Sequence, residues 1–387
     1  MEELLIEQAT INNMSRVFNI KVGGLLAALK KAKEVVSAKP QMPILENVLF
    51  RVNGDSVAIV ATDLLVTIEV AIDIENPTER YYSFLLPFDF LYKILQQVTV
   101  ESITITLSDT ELGKAWRQDA KISALHDEII LEDLAQVEDY PAMPVLPPDN
   151  SVGVGSDLIE WLEAAIDTCG TDKIRSVLQN IYLEINGNTL TIASTNAHVL
   201  MEKLFIIESD KKAQLLIDTR IAKALKGFKN ASISWSDTHL AFINEQIKII
   251  ATLGEDKYPD YRAVIPESKV SMSLFRNELL GKLEQLSLTK SPTTIYFRKE
   301  IGTMVMEAWD TDYGRKITCR IEVDYYGEAD LIMVNAANLL LLIDQVDYTM
   351  ISLCITAANR PIVIKAEADP TYRALAMPTV EEYTSKN

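Results

Sequence analysis

The stretch Lys257-Tyr258-Pro259-Asp260-Tyr261-Arg262-Ala263-Val264-Ile265-Pro266 decides how the chain is organised, because it does not stand alone. A shorter counterpart lies upstream, Asp139-Tyr140-Pro141-Ala142-Met143-Pro144, and a remnant, Ala376-Met377-Pro378, lies near the end. Pro141, Pro259 and Pro378 are spaced 118 and 119 residues apart. That period is too long for a solenoid unit and suits a whole small domain.

Other features keep the same spacing. An apolar pattern of helical period opens each third: Leu25, Leu26, Leu29; then Leu158, Trp161, Leu162, Ala165; then Leu274, Leu279, Leu280, Leu283. A second helix is expected midway through each, over 88–98, 219–228 and 336–346, entered through Pro87, Asp218 and Asn335. Between the helices lie short runs rich in β-branched residues, such as Val57–Ala61, Thr189–Ile192, Ile247–Ile250 and Ile362–Ile364. The fold class is therefore α+β, with two helices and many strands in each third. The expected domains are 16–146, 147–268 and 269–379. They are preceded by an extension over 1–15, ahead of a second possible start at Met14, and followed by a tail over 380–387. The acidic stretch from His126 to Asp139 reads as a solvated strand edge or loop, and Gly153-Val154-Gly155 as a linker turn.

Composition narrows the function. The chain has 387 residues, 48% hydrophobic and 24% charged, a globular content with room for two to four domains. Its 37 Lys and Arg against 55 Asp and Glu give a net charge of −18, which excludes a surface that grips nucleic acid everywhere and leaves room for a local basic patch. Cys169, Cys319 and Cys354 are far apart and unpaired in spacing, so a reducing cytoplasm is expected, with no disulfide frame and no zinc site. No apolar run approaches the roughly 18 residues of a membrane span, and the start of the chain has no secretory pattern.

Catalytic signatures are weak throughout. His126, His198 and His239 have no second ligand at helical or hairpin spacing, Gly153-Val154-Gly155 lacks the third glycine of a dinucleotide loop, and neither a Walker loop nor a Gly-x-Ser-x-Gly elbow occurs. Asp310 and Asp312 with Glu307 could be imagined as an acid/base carboxylate pair, but neighbouring acids are expected by chance in so acidic a chain. A non-catalytic protein without cofactor or metal is expected.

An ordered set of motifs resembles one family. Lys39-Pro40-Gln41-Met42-Pro43-Ile44-Leu45-Glu46-Asn47-Val48 and Ala61-Thr62-Asp63-Leu64 come first, then Thr195-Asn196-Ala197-His198-Val199-Leu200 and Tyr258-Pro259-Asp260-Tyr261, and finally Met377-Pro378. From about Val17 to Thr379 the chain resembles the bacterial DNA polymerase sliding clamp, the beta subunit of DNA polymerase III. The resemblance implies three repeated clamp domains per subunit, two subunits closed head to tail around duplex DNA, and a non-catalytic role in processivity. Partners would be double-stranded DNA, a second copy, and polymerase and clamp-loader subunits that dock short linear motifs.

Carried over to this sequence, the resemblance implies a pore lined by Lys30, Lys31, Lys33, Lys223, Lys226, Lys229, Arg276 and Lys282, with Lys39 and Arg175 as further DNA contacts, all meeting phosphates without reading bases. Taken singly, a lysine on an amphipathic helix is usually just solvated; recurrence on equivalent helices is what singles these out. It also implies a peptide groove of Leu178, Thr195, His198, Leu200, Pro259, Val264, Leu375, Met377 and Pro378, although the leucines could equally be core. The chain departs from the family at Asn196, Ala197 and Val199, where Asp-Gly and Arg are usual, at Ser176 and Val177, where aromatic residues are frequent, at Ala263 in place of Arg, and in running on past Pro378. These departures leave open a divergent copy, a clamp-shaped protein-interaction scaffold with a weakened DNA role.

Overall fold

The computed structural model describes residues 16–379 apart from 38, 113–114, 147–149, 255, 290–292, 299–301 and 311. The expected extension over 1–15 and the tail over 380–387 lie outside the described residues. The elements run in three similar series. The first is β1 (Arg16–Lys21), α1 (Val22–Ala32), β2 (Asn47–Thr62), β3 (Val66–Pro87), α2 (Phe88–Leu95), β4 (Ser102–Leu112), β5 (Ala115–Ala124) and β6 (Asp127–Leu131). The second is β7 (Ser151–Gly155), α3 (Ser156–Ile166), β8 (Asn180–Asn186), β9 (Thr189–Thr195), β10 (Val199–Ile206), β11 (Lys212–Asp218), α4 (Thr219–Ala224), β12 (Asn230–Trp235), β13 (His239–Ile243) and β14 (Ile247–Thr252). The third is β15 (Met272–Phe275), α5 (Arg276–Ser287), β16 (Thr293–Arg298), β17 (Thr303–Asp310), β18 (Arg315–Glu322), β19 (Leu331–Val334), α6 (Ala336–Asp344), β20 (Met350–Cys354), β21 (Ile362–Ala366) and β22 (Asp369–Ala376). Each series opens strand then helix and enters its second helix from a strand, directly in the first two and through Asn335 in the third.

The chain forms two compact units, 1–153 with 223–253 and 154–222 with 254–387. The first contains a sheet of order β1-β4-β5-β6 and a six-stranded sheet β2-β3-β14-β13-β12-β7. Its long β2–β3 hairpin shifts register between Val52 and Ser56, where Gly54 takes a φ of +63° that a side chain would resist. Phe18, Phe50 and Phe84 meet in its core, the latter two stacked with centroids 4.8 Å apart. The second unit contains an eight-stranded sheet β11-β8-β9-β10-β22-β21-β20-β15 and a four-stranded sheet β18-β17-β16-β19. Every strand pair whose register is defined is antiparallel.

Several expectations need correcting. The third series' first helix begins at Arg276, so Leu274 belongs to β15, where it is buried and pairs with Ile351. Gly153-Val154-Gly155 is no linker turn but the end of β7: Val152 and Val154 are buried while Ser151, Gly153 and Gly155 are exposed, a period of two that feeds straight into α3. The second helices stop at Leu95, Ala224 and Asp344, shorter than their apolar patterns, because single turns complete the apolar face beyond them. The acidic stretch does carry an edge strand, β6. Among the described residues no helix is long and apolar enough to cross a membrane.

The second unit also buries an ion pair. Lys203 on β10 pairs with Asp369, donates to Thr371 Oγ1 at 2.8 Å, and lies over the Trp161 ring at 5.2 Å. Burial pushes the Asp369 carboxyl up, but hydrogen bonds from Lys203, Thr371 and Tyr348 outweigh it and hold the group at about 2. A folded value below the unfolded one stabilises the native state fully above the unfolded pKa, and that contribution is lost as pH falls toward about 2. Asp369→Asn is expected to cost roughly 2 kcal/mol at pH 7. Urea unfolding at pH 7, 4 and 2.5 should show the variant's deficit shrinking at the lowest pH.

Candidate functional site

The eight-stranded sheet sets the site. In its register Leu200 on β10 stands opposite Thr195 on β9 and opposite Leu375 on β22, so a distant strand brings its leucine into one row with the Thr195–Leu200 hairpin. Leu178 enters from a 3-10 segment before β8, and a short 3-10 turn, Tyr261–Val264, brings the segment from Pro259 alongside. They line a cavity of about 270 Å³ together with Ala197, Val199, Asp260 and Met377. Its floor continues into a buried cluster of Leu178, Tyr182, Leu200, Tyr258, Tyr261, Cys354 and Leu375. The cavity is apolar and open on one side, suited to accepting side chains of an extended segment.

Seven of the nine residues expected in the groove line it: Leu178, Thr195, Leu200, Pro259, Val264, Leu375 and Met377. His198 and Pro378 do not. The His198 side chain is exposed, and its carbonyl accepts from Met377 N at 2.8 Å, so its backbone holds Met377 in place. Pro378 bridges instead to Val334, and Thr379 N donates to Met333 O at 2.9 Å. Ala197, Val199, Asp260 and Tyr261 are lining residues that the carry-over missed, though all four sit inside the quoted motifs. Val199 is buried and lines the cavity, whereas Ala263 is exposed and does not.

The turn that carries Ala197 is built by side chains. Thr195 Oγ1 donates to Val199 O and accepts from Ala197 N, while Asn196 Oδ1 accepts from the His198 and Val199 amides at 2.9 and 3.0 Å. The same bonds recur in the first unit. Thr62 Oγ1 donates to Val66 O and accepts from Leu64 N, and Asp63 Oδ1 accepts from the Leu65 and Val66 amides. Ala197 and Leu64 both take positive φ, 75° and 77°. Asn and Asp serve equally because only an acceptor oxygen is needed, which is why the change to Asn196 leaves the turn intact.

The wall formed by the 3-10 turn is tied by charge. Tyr261 donates to Glu202 Oε1 at 2.8 Å, Arg262 pairs with Glu184 and lies 3.5 Å from Glu202, and Arg373 pairs with Glu202. Burial and the neighbouring Glu202 carboxylate raise the Tyr261 hydroxyl, which keeps its proton, and the hydrogen bond from Arg262 lowers the Glu184 carboxyl.

The basic residues divide between the two units. In the first, Lys31 donates to Ala224 O at 3.0 Å and to Lys226 O, which brings the end of α1 against the end of α4. Lys30, Lys33, Lys223, Lys226 and Lys229 are exposed around that junction, and Lys33 lies over the Tyr92 ring at 5.3 Å. Lys39 is exposed. In the second unit Arg175 is exposed and Lys282 half-buried. Arg276 is occupied: its guanidinium donates to Ile343 O at 3.0 Å and Asp344 O at 2.9 Å, closing the C-terminus of α6, and is largely buried there. Lys31 and Arg276 therefore hold helix ends, a use their sequence positions did not disclose.

The acids considered for catalysis are ordinary. Glu307 pairs with Lys316 at 3.1 Å, and that bond lowers its carboxyl, the reverse of what a general acid needs; Asp310 accepts from Tyr313 N. Among the described residues no group of three or more His, Cys, Asp or Glu could hold a metal.

Comparison with known proteins agrees with this architecture. Residues 17–144 match the family model of the DNA polymerase III beta subunit, N-terminal domain. The beta sliding clamp of Streptomyces coelicolor is 22% identical over 378 residues, covering 92% of this chain and 96% of that protein, and that of Pseudomonas putida is 22% identical, covering 93% and 99%. Among solved structures, a DNA polymerase III beta-subunit sliding clamp from Pseudomonas aeruginosa bound to griselimycin superposes with a TM-score of 0.84 at 18% identity, covering 94% of this chain and 99% of that one. A DNA polymerase sliding clamp from Bacillus subtilis gives 0.82 at 18%, with the same coverage. The fold is thus that of a sliding clamp, built over nearly the full length of such proteins. Residues 17–144 match that family's N-terminal domain by sequence, and the chain as a whole shares the clamp fold.

Because Arg276 closes a helix terminus and fills both exposed carbonyls, Arg276→Met is expected to destabilise the protein by about 1–2 kcal/mol. Denaturant unfolding measures this, and an unchanged midpoint would contradict the assignment.

Proposed function

We propose that the chain is a replication sliding clamp: a non-catalytic ring that encircles duplex DNA and holds partner proteins to it by docking their short peptides in the apolar groove. The observation that carries the reading is the clamp fold across the chain together with that groove, whose lining keeps seven of the nine positions inferred from the family motifs. Three clamp domains, 16–146, 147–268 and 269–379, are the repeating units of this reading, as the three parallel series of elements suggest.

DNA contact is electrostatic and sequence-blind in this proposal. The exposed lysines gathered where α1 meets α4, with Lys39, Arg175 and Lys282, supply point charges to phosphates in a protein whose overall charge of −18 repels DNA elsewhere. Arg276 and Lys31 are left out of this set because helix carbonyls engage them. The protein should stay on circular DNA after incubation with the host clamp loader and ATP, and run off the same DNA once linearised. Its affinity should fall steeply with salt and change little with sequence; equal retention on both DNA forms, or a marked sequence preference at fixed ionic strength, would sink the proposal.

Two copies complete the ring in this reading. Among the described pairings, β6 and β18 are both sheet edges, and their exposed charges are opposite. Asp127 and Glu128 lie on β6, with Glu132 and Asp133 just after it, whereas β18 exposes Arg315, Lys316 and Arg320. Antiparallel addition of one copy's β6 to another's β18 would satisfy both rows of backbone groups and match the charges. Light scattering at micromolar concentration should give twice the 43.3 kDa chain mass. Arg320→Glu should shift the protein toward monomer, and a monomer in the unsubstituted protein would count against the ring.

A further inference from the structure

We propose that Glu202 is the positioning residue of the groove, latching the Pro259–Val264 wall from behind so that groove affinity depends on a carboxylate outside the cavity lining. The proposal rests on the groove reading above and deepens it.

Side chains two residues apart on a strand share a face. Leu200 and Glu202 therefore lie on the same side of β10, and Leu375 and Arg373 on the same side of β22, with Leu200 opposite Leu375 and Glu202 opposite Arg373 in register. The first row is the groove floor; the second is an ion pair directly behind it. Tyr261 spans the two rows, lining the cavity while its hydroxyl donates to Glu202 Oε1 at 2.8 Å. The next residue, Arg262, pairs with Glu184 and reaches Glu202 as well.

Glu202 is only 6% exposed, and a carboxylate so buried is costly unless its lone pairs are used. Here they meet a tyrosine hydroxyl and two guanidinium groups, all from segments that border the groove. The segment they tie has little other regular structure: its own amide bonds are the short ones from Tyr261 N to Pro259 O, Ala263 N to Asp260 O and Ile265 N to Arg262 O. Removing the latch frees Pro259, Tyr261 and Val264, three lining side chains, without deleting any of them from the cavity. A wall already in place spares a ligand the ordering cost that a mobile wall would add to binding.

The probe is a capped, uncharged peptide with two leucine anchors, titrated against the full-length protein, the Tyr261→Phe and Glu202→Gln variants and their double variant, with hydrogen exchange and denaturant unfolding measured on each. Tyr261→Phe keeps the ring in the groove and loses only the tether. It is expected to weaken the peptide roughly tenfold, as loss of one hydrogen bond to a charged group allows, and to speed exchange at the Tyr261, Ala263 and Ile265 amides with little change in the unfolding midpoint. Glu202→Gln should act in the same direction, because it also removes the charge that pairs with Arg262 and Arg373, and the double variant should lose less than the sum of the two singles, since they share the Tyr261–Glu202 contact. Peptide binding within twofold of the unsubstituted protein in both single variants, or a loss that only follows global stability, overturns the latch. Exchange protection present while the unsubstituted protein binds no such peptide overturns the groove reading, and with it this role for Glu202.

Discussion

The backbone pairing of β10 with β22 is the constraint on which the rest of the second unit depends. It joins residues 199–203 to residues 372–376, so that one sheet is continuous across segments far apart in the chain. Without that register Leu200 and Leu375 would not face one row, the Glu202–Arg373 pair would not sit behind them, and Met377 would not be held by the His198 carbonyl. A slip of one residue would turn each of these side chains to the other face of the sheet. The register is protected by mixed means: apolar burial at Leu200, Leu375 and Ala374, and opposite charges at Glu202–Arg373 and Lys203–Asp369. Like charges or unpaired leucines would result from any neighbouring alignment, which makes the observed one strongly preferred.

Charge does a different job at the surface. A net charge of −18 raises solubility and repels polyanions, yet six lysines are drawn to one region of the first unit by a local structural need. The carbonyls at the ends of α1 and α4 require cations or donors, and Lys31 satisfies those of Ala224 and Lys226 while Lys30, Lys33, Lys223, Lys226 and Lys229 stand exposed nearby. Positive charge near helix C-termini stabilises the helices and at the same time gathers a basic surface. Folding and electrostatic attraction thus favour the same residue types at the same place.

Much of the fold was legible because the periodicities are plain. The 3.6-residue spacing of Leu158, Leu162 and Ala165 identifies α3, and the recurrent proline-containing motif keeps step with the three similar series of elements. The errors have identifiable physical causes. Leu274 fits a helical pattern and a strand pattern equally, and only the register with Ile351 decides. Gly153 and Gly155 look like a turn until the burial of Val152 and Val154 is known. In the cavity, seven of the motif residues present side chains, from strands and from 3-10 segments alike, whereas His198 and Pro378 contribute backbone contacts instead. Arg276 and Lys31 were read as free cations because a sequence does not display which helix carbonyls lack partners. No sequence pattern links Glu202 to Tyr261, since that contact spans 59 residues and exists only once the sheet and the 3-10 turn have formed.

The repeated Thr-Asx turn explains how similar units acquire unequal roles. At Thr62–Val66 and Thr195–Val199 the hydroxyl and the Asx oxygen make the same bonds, and the third residue is forced to positive φ in both. A residue with a Cβ in that region costs roughly 1–2 kcal/mol, a strain that the four side-chain and amide bonds of the turn can hold. What differs is the side chain placed there. Leu64 brings an isobutyl group that remains partly exposed, whereas Ala197 brings a single methyl that lines the cavity. The backbone tolerates either because the turn is fixed by the flanking Thr and Asx, leaving that position free to vary in size. A groove can therefore be opened or narrowed at this point without touching the hydrogen bonds that build the turn, so the repeated fold is preserved while the surface it presents diverges.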